Sequence, residues 1–272
     1  RGSRRPDIRI DIELVRQLPS FITGEQVFLT RHPQTRQGNW RLLRRGRGFV
    51  YMSLLATKKQ IAIVSGNFRR VRMFICPEKE SQGEWHPVDV IYDFLQILFM
   101  QYLAYAKKGF ILHASAIKET SGKAYVFCGV SGAGKSTMAK LWFRHAPETI
   151  ALNDDRVVAC RMGKKFYVYS SPWHGEFFDY MDGGDQRAAV AGVFFLEQAK
   201  RHRLTQISWT AAWPQLYAAS FPVFWNKELL ENTAALSEAF LRTVPSYTLG
   251  FARNKSIIPF LRRKNLAGAK GD

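Results

Sequence analysis

The residues Gly129-Val-Ser-Gly-Ala-Gly-Lys-Ser136 match the spacing Gly-x-x-x-x-Gly-Lys-Ser, a pattern suited to cradling a triphosphate. Glycines let consecutive backbone N–H groups converge on phosphate oxygens, where side chains would block the approach. An apolar strand, Ala124 to Cys128, runs into the loop, and a helix is expected from Ser136 to about His145. A helix start at that point adds unpaired N–H groups and a positive dipole end. In this setting Gly129, Ser131, Gly132, Ala133 and Gly134 shape the cradle, and Lys135 reaches the β- and γ-phosphates. The Ser136 hydroxyl is placed to ligate Mg2+, and Thr137 can support that coordination. ATP and Mg2+ are therefore the expected ligands.

A loop that holds triphosphate does not say what is done with it, since motors, switches and kinases share the feature. Discrimination must come from its company. Asn153-Asp154-Asp155-Arg156 follows a short apolar strand, with Asp154 nineteen residues beyond Lys135. In a parallel sheet the end of the next strand lies beside such a loop, so a carboxylate there reaches metal or nucleophile. Two adjacent aspartates suit a division of roles, in which one accepts a hydroxyl proton and the other holds metal or orients a neighbour. Asn-Asp pairs are also common turn residues, which is the other reading of the run. His113 lies in the strand Phe110 to Ile117, sixteen residues before Gly129.

Taken together, Leu112-His-Ala-Ser-Ala116, the loop through Thr137 and Leu152-Asn-Asp-Asp-Arg156 resemble the HPr kinase/phosphorylase family and its smaller relatives. Those relatives include kinase-like proteins encoded beside lasso-peptide biosynthetic genes. The resemblance covers about residues 88–200 by motif and extends loosely to about 263. It implies an α/β P-loop kinase core of the HPr kinase/phosphoenolpyruvate carboxykinase-like type. Lys135 and Ser136 then take the lysine and magnesium roles, Asp154 is general base on an acceptor serine, and His113 lies near the transferred phosphate. A histidine buried in the core and bonded to backbone is the alternative for His113. Glu176, in Pro172-Trp-His-Gly-Glu176, is a candidate on the magnesium or acceptor side, so Ser136, Asp155 and Glu176 form the expected metal set. The acidic-arginine-glycine segment of true HPr kinases is missing here. That argues against HPr as acceptor and against a reverse phosphorylase activity.

The elements that must position these residues can be read along the chain. Residues 8–76 hold short alternating runs punctuated by Gly, Asn and Pro, expected to form an antiparallel module. A polar stretch with two prolines, Pro77 to Pro87, marks a boundary, giving a basic β-rich module over 1–86 and a catalytic domain over 87–272. A helix is expected from about Val88 to Lys107, closed by Lys107-Lys-Gly109. Its apolar part is short for a membrane span and is interrupted by Asp93, Gln96 and Gln101. Further strands are expected at 149–152, 156–162, 165–170, 191–196, 204–208 and 247–251. Helices are expected near 211–219, over 227–243 and up to about 263.

Composition narrows the class. With 46% hydrophobic and 14% aromatic residues the chain can fill a core, which excludes global disorder. Lys and Arg number 40 against 22 acids, and residues 1–80 alone hold 17 basic and 6 acidic residues, a net of +11. Such a surface attracts polyanions without choosing among them. Cys76, Cys128 and Cys160 form no metal or redox pattern, as in a reduced cytoplasmic protein. No targeting information is taken from the start of the chain.

The leading expectation is an ATP- and magnesium-dependent kinase acting on a serine hydroxyl of a peptide or small protein, including a lasso-type precursor peptide. A kinase of a small metabolite is the second class. The third is a non-catalytic nucleotide-binding regulator or a nucleic-acid binder. Phe68-Arg-Arg-Val-Arg-Met-Phe74 combines basic and aromatic residues, but at the spacing of an ordinary strand edge, which disfavours nucleic acid. HPr kinases assemble as hexamers, yet this chain differs from them in both flanks, so a homo-oligomer stays an open alternative.

Overall fold

Alternation of apolar and polar residues generates the first sheet. In the computed structural model, which describes residues 6–20, 23–30, 40–53, 59–76, 94–130, 132–175, 186–264 and 266, the chain divides into two compact units, 1–105 and 106–272. The first contains β1 (Arg9–Leu14), β2 (Glu25–Leu29), β3 (Trp40–Arg45), β4 (Gly48–Ser53), β5 (Lys59–Val64), β6 (Arg70–Cys76) and helix α1 (Gln96–Tyr105). Its six strands lie in the order β1-β6-β5-β4-β3-β2. Strands β2 to β6 form an antiparallel meander, but β1 runs parallel to β6, with Arg9 opposite Arg70 and Leu14 opposite Ile75. The expectation of a purely antiparallel module is corrected at that edge. A parallel neighbour cannot be reached through a tight turn. Leu18, after β1, packs on Leu43, Val50 and Ile61. Helix α1 is buried on most sides, and Tyr105 meets Phe68 edge-on at 5.6 Å. Lys107, not Gly109, takes the left-handed conformation after the helix (φ 51), and Gly109 begins the next strand.

The second unit contains β7 (Gly109–Lys118), β8 (Lys123–Cys128), α2 (Lys135–His145), β9 (Ile150–Asn153), β10 (Arg156–Met162), β11 (Lys165–Tyr169) and β12 (Arg187–Gln198). They are followed by β13 (Arg203–Ile207), α3 (Trp209–Ala218), α4 (Lys227–Thr243), β14 (Ser246–Phe251) and α5 (Ile257–Arg263). The sheet is mixed, in the order β11-β10-β7-β8-β12-β14-β13, with β9 on the free half of β7 and β11 also touching β12. Strands β8, β12 and β14 are mutually parallel, and β8 is apolar and buried from Ala124 to Cys128, as a strand covered on both faces should be. One core joins Tyr125, Phe127, Phe194 and Phe251 to Trp142 of α2 and Leu261 of α5. A second joins Phe110, Phe166 and Phe195 to Leu216 of α3 and Phe240 of α4. Among the described residues no helix is long and apolar enough to cross a membrane.

The central strand is β7. One edge pairs with β8 (Ala114 opposite Cys128), and the other pairs with β10 (His113 opposite Arg156) and then β9 (Ala116 opposite Asn153). The carboxylate turn after β9 therefore reaches the glycine-rich loop across an antiparallel strand, not from a parallel neighbour of β8 as expected. The outcome is similar, because β8 and β9 both run opposite to β7 and so end at the same rim of the sheet.

Candidate functional site

At that rim the chain leaves Cys128 through Gly129 and enters α2 at Lys135. Gly134 is the residue before the helix, with φ 108, and a Cβ there would sit 2.6 Å from the Phe251 ring. Only glycine meets both conditions. Gly132 also has positive φ, 79. No side chain caps α2, and its first turn holds no acidic residue, so its leading N–H groups stay available to an anion. Ser131 lies outside the described residues.

Lys135 is 7% exposed, and its Nζ donates to the carbonyl oxygens of Gly129 at 3.0 Å and Val130 at 3.2 Å. Its pKa is held below the ordinary lysine value, first by burial and then by Arg156, against the opposing influence of Cys128 and Asp155. Burial also pushes the Cys128 thiol up to about 12. The buried Ser115 hydroxyl donates to the Lys135 carbonyl at 3.3 Å, tying β7 to the start of α2.

The carboxylate turn is built by Asn153, which is 1% exposed. Its Oδ1 accepts from the N–H groups of Asp155 and Arg156 at 2.8 and 2.7 Å. Its Nδ2 donates to Ser171 O, Ser171 Oγ and Trp173 O at 3.2, 2.9 and 3.0 Å. The turn reading of Asn-Asp is thus correct in itself, and the turn is what presents the two aspartates. Asp154 is 5% exposed, and its Oδ1 accepts the Gly175 N–H at 2.7 Å. Asp155 Oδ1 lies 3.2 Å from His113 Nε2 and also accepts from Arg156 Nη1. Burial pushes the Asp155 carboxyl up, but the bond from His113 and the charges of Arg156 and Lys135 outweigh it and hold the pKa below the usual value. Arg156 stacks over the Phe221 ring at 4.4 Å.

These groups share one open cavity of about 300 Å³, lined by His113, Gly132, Gly134, Lys135, Ser136, Thr137, Asp154, Asp155, Gly175 and Arg253. Of the residues expected from sequence, the cavity gathers His113, Gly132, Gly134, Lys135, Ser136, Thr137, Asp154 and Asp155. Gly129 and Ala133 shape the loop from behind it: Gly129 supplies a carbonyl to Lys135, and the Ala133 N–H donates to Val130 O at 3.1 Å. Glu176 lies outside the described residues, although its neighbours Gly175 and Trp173 do bond the aspartate turn.

Sequence reasoning missed four contributors. Asn153 and Gly175 stood inside runs singled out for other residues. Gln198, at the end of β12, whose Nε2 donates to Gly132 O at 2.9 Å, and Arg253, in the turn after β14, are distant in sequence and carry no local signal. Among the described residues no cluster of three or more His, Cys, Asp or Glu side chains forms a self-contained metal cage. The oxygen donors Ser136, Asp154 and Asp155 in one cavity do fit Mg2+, which commonly takes one or two carboxylates and leaves its other positions to phosphate and water.

No protein-family model matches the chain, and no curated protein matches it. Among solved structures, the HPr(Ser) kinase/phosphatase from Coxiella burnetii is similar at 11% identity and a TM-score of 0.34, covering 59% of this chain and 99% of that chain. At that identity and score the likeness is a distant one.

Proposed function

We propose that residues 106–272 form an ATP- and magnesium-dependent kinase that transfers the γ-phosphate to a serine hydroxyl of a peptide or small protein. The observation that carries this reading is the shared cavity, in which an uncapped helix start with Lys135 and Ser136 faces two aspartates held by Asn153.

The role of each residue follows from its position. The N–H groups of the loop and of the first turn of α2 receive the phosphate oxygens. Lys135 exchanges its two carbonyl partners for β- and γ-oxygens, which keeps its buried charge paired throughout. Ser136 and Asp155 would hold Mg2+, which when bound neutralises phosphate charge. His113 and Arg156 grip Asp155 and fix its direction. Asp154, held by Gly175, takes the proton of the acceptor hydroxyl as that oxygen bonds to the γ-phosphorus and the bond to the β–γ bridging oxygen breaks, releasing ADP. Alignment and electrostatic stabilisation supply the acceleration. The acceptor suggested by sequence resemblance is a ribosomally made precursor peptide of the lasso type.

The test is incubation of the purified chain with labelled ATP, Mg2+ and candidate serine peptides, including such precursors. Asp154→Asn is expected to abolish transfer while leaving nucleotide affinity intact. Transfer that survives Asp154→Asn unchanged removes the base assignment, and nucleotide binding without transfer to any acceptor removes the kinase reading.

A further inference from the structure

The turn from β12 to β13 and the turn after β14 carry a charge pattern that the phosphate chemistry does not use. Lys200, Arg201, Arg203, Arg253 and Lys255 are all exposed, and among the described residues none of them has an ion-pair partner. Glu197 is the one carboxylate in the same segments. The two turns are fastened to each other. The Ala199 N–H donates to Phe251 O at 3.1 Å, the Ala252 N–H donates to His202 Nδ1 at 3.3 Å, and His202 Nε2 lies 2.8 Å from Ser256 Oγ. They are also fastened to the cavity, through Gln198 on Gly132 O and through Arg253 on its wall. Holding like charges together without counter-charges is unfavourable unless an anion visits them.

Building on the kinase reading, we infer that this pair of turns is the subsite for carboxylates flanking the acceptor serine, so that the preferred acceptor is an acidic peptide. The nucleotide does not need these charges. Its phosphates are served by the loop N–H groups, the α2 start and Lys135, and of the five cations only Arg253 lines the cavity. Lys200, Arg201, Arg203 and Lys255 do not line it; they sit on or beside the two turns that Gln198 and Arg253 join to its wall. Neither turn exposes an aromatic ring of the kind that stacks bases in single-stranded RNA sites, which favours a peptide over RNA.

The experiment measures fluorescence anisotropy of two labelled peptides, one with a serine flanked by glutamates and one with glutamines in their place. Both are titrated with the full chain in the presence of Mg2+ and a non-hydrolysable ATP analogue. The acidic peptide is expected to bind roughly tenfold more tightly, with an advantage that shrinks as salt rises. The triple variant Lys200→Ser, Arg201→Ser, Lys255→Ser is expected to erase the advantage and to leave the analogue's affinity unchanged. Equal binding of the two peptides overturns the inference. So does an advantage that survives the triple variant, a matching loss of analogue affinity (which would assign the patch to the nucleotide), or displacement of the peptide by a trace of single-stranded RNA. Transfer to the same peptides is scored separately. Absence of transfer to every peptide counts against the kinase reading, while the binding comparison still decides the subsite.

Discussion

Gly175 donates its N–H to Asp154 Oδ1 at 2.7 Å, and a Cβ at position 175 would stand 2.7 Å from Asp154 Oδ2. The backbone of one segment thus fixes the carboxylate of another, at a distance that no side chain tolerates. Gly175→Ala is expected to push the Asp154 carboxylate aside without touching the glycine-rich loop. A displacement approaching 1 Å costs about a hundredfold in rate. Kinetics of the purified variant should show kcat falling by roughly that factor, with nucleotide affinity nearly unchanged. A normal kcat would mean that Asp154 needs no such positioning.

Asn153 is a stability determinant as much as a site residue. Asn153→Ala removes five hydrogen bonds and leaves the N–H groups of Asp155 and Arg156 without that acceptor in a half-buried turn. Each buried group left unpaired costs about 1–3 kcal/mol. Urea denaturation should show a loss of about 3 kcal/mol. A loss below about 0.5 kcal/mol, the scale of an ordinary surface change, would contradict the clamp.

Much of the site was legible because its signals are local. The loop, the apolar strand before it and the helix after it occupy Ala124 to His145, and each is specified by its own residues. Asn153-Asp-Asp could be read as a turn or as chemistry; the structure shows the turn, with both aspartates on the cavity wall. Arg253 and Gln198 were invisible, since they reach the cavity only through the pairing of β12, β14 and β13. The same applies to β1, whose alternation announces a strand but not a parallel partner sixty-one residues away. Sheet order depends on which strands exclude water together, and no single segment encodes that.

Gln101 tests the first unit independently of any activity. It is fully buried in α1, and among the described residues neither its Oε1 nor its Nε2 has a hydrogen-bond partner. Gln101→Leu keeps a similar volume and removes a polar group that water no longer satisfies. The substitution is expected to be neutral or to stabilise by about 1 kcal/mol. Calorimetry of the full chain decides it: a clear drop in the transition belonging to this unit would reveal a polar role for the amide.

His202 should make the arginine-bearing turn sensitive to acid. Its Nδ1 accepts the Ala252 N–H at 3.3 Å, which leaves the ring proton on Nε2, facing Ser256 Oγ at 2.8 Å. Burial lowers its pKa below the ordinary 6.5, against a smaller opposing pull from Asn254. A second ring proton would face the Ala252 N–H and break the bond between the two turns. The folded chain therefore binds this proton less readily than the unfolded chain. Its contribution to stability is complete above pH 6.5, falls as pH drops below 6.5 towards the folded-state pKa, and levels off beneath it. The melting temperature of the wild type should fall between about pH 7.5 and about pH 5.5 more steeply than that of His202→Asn, which cannot titrate. Parallel profiles for the two proteins would show that this histidine does not govern the turn.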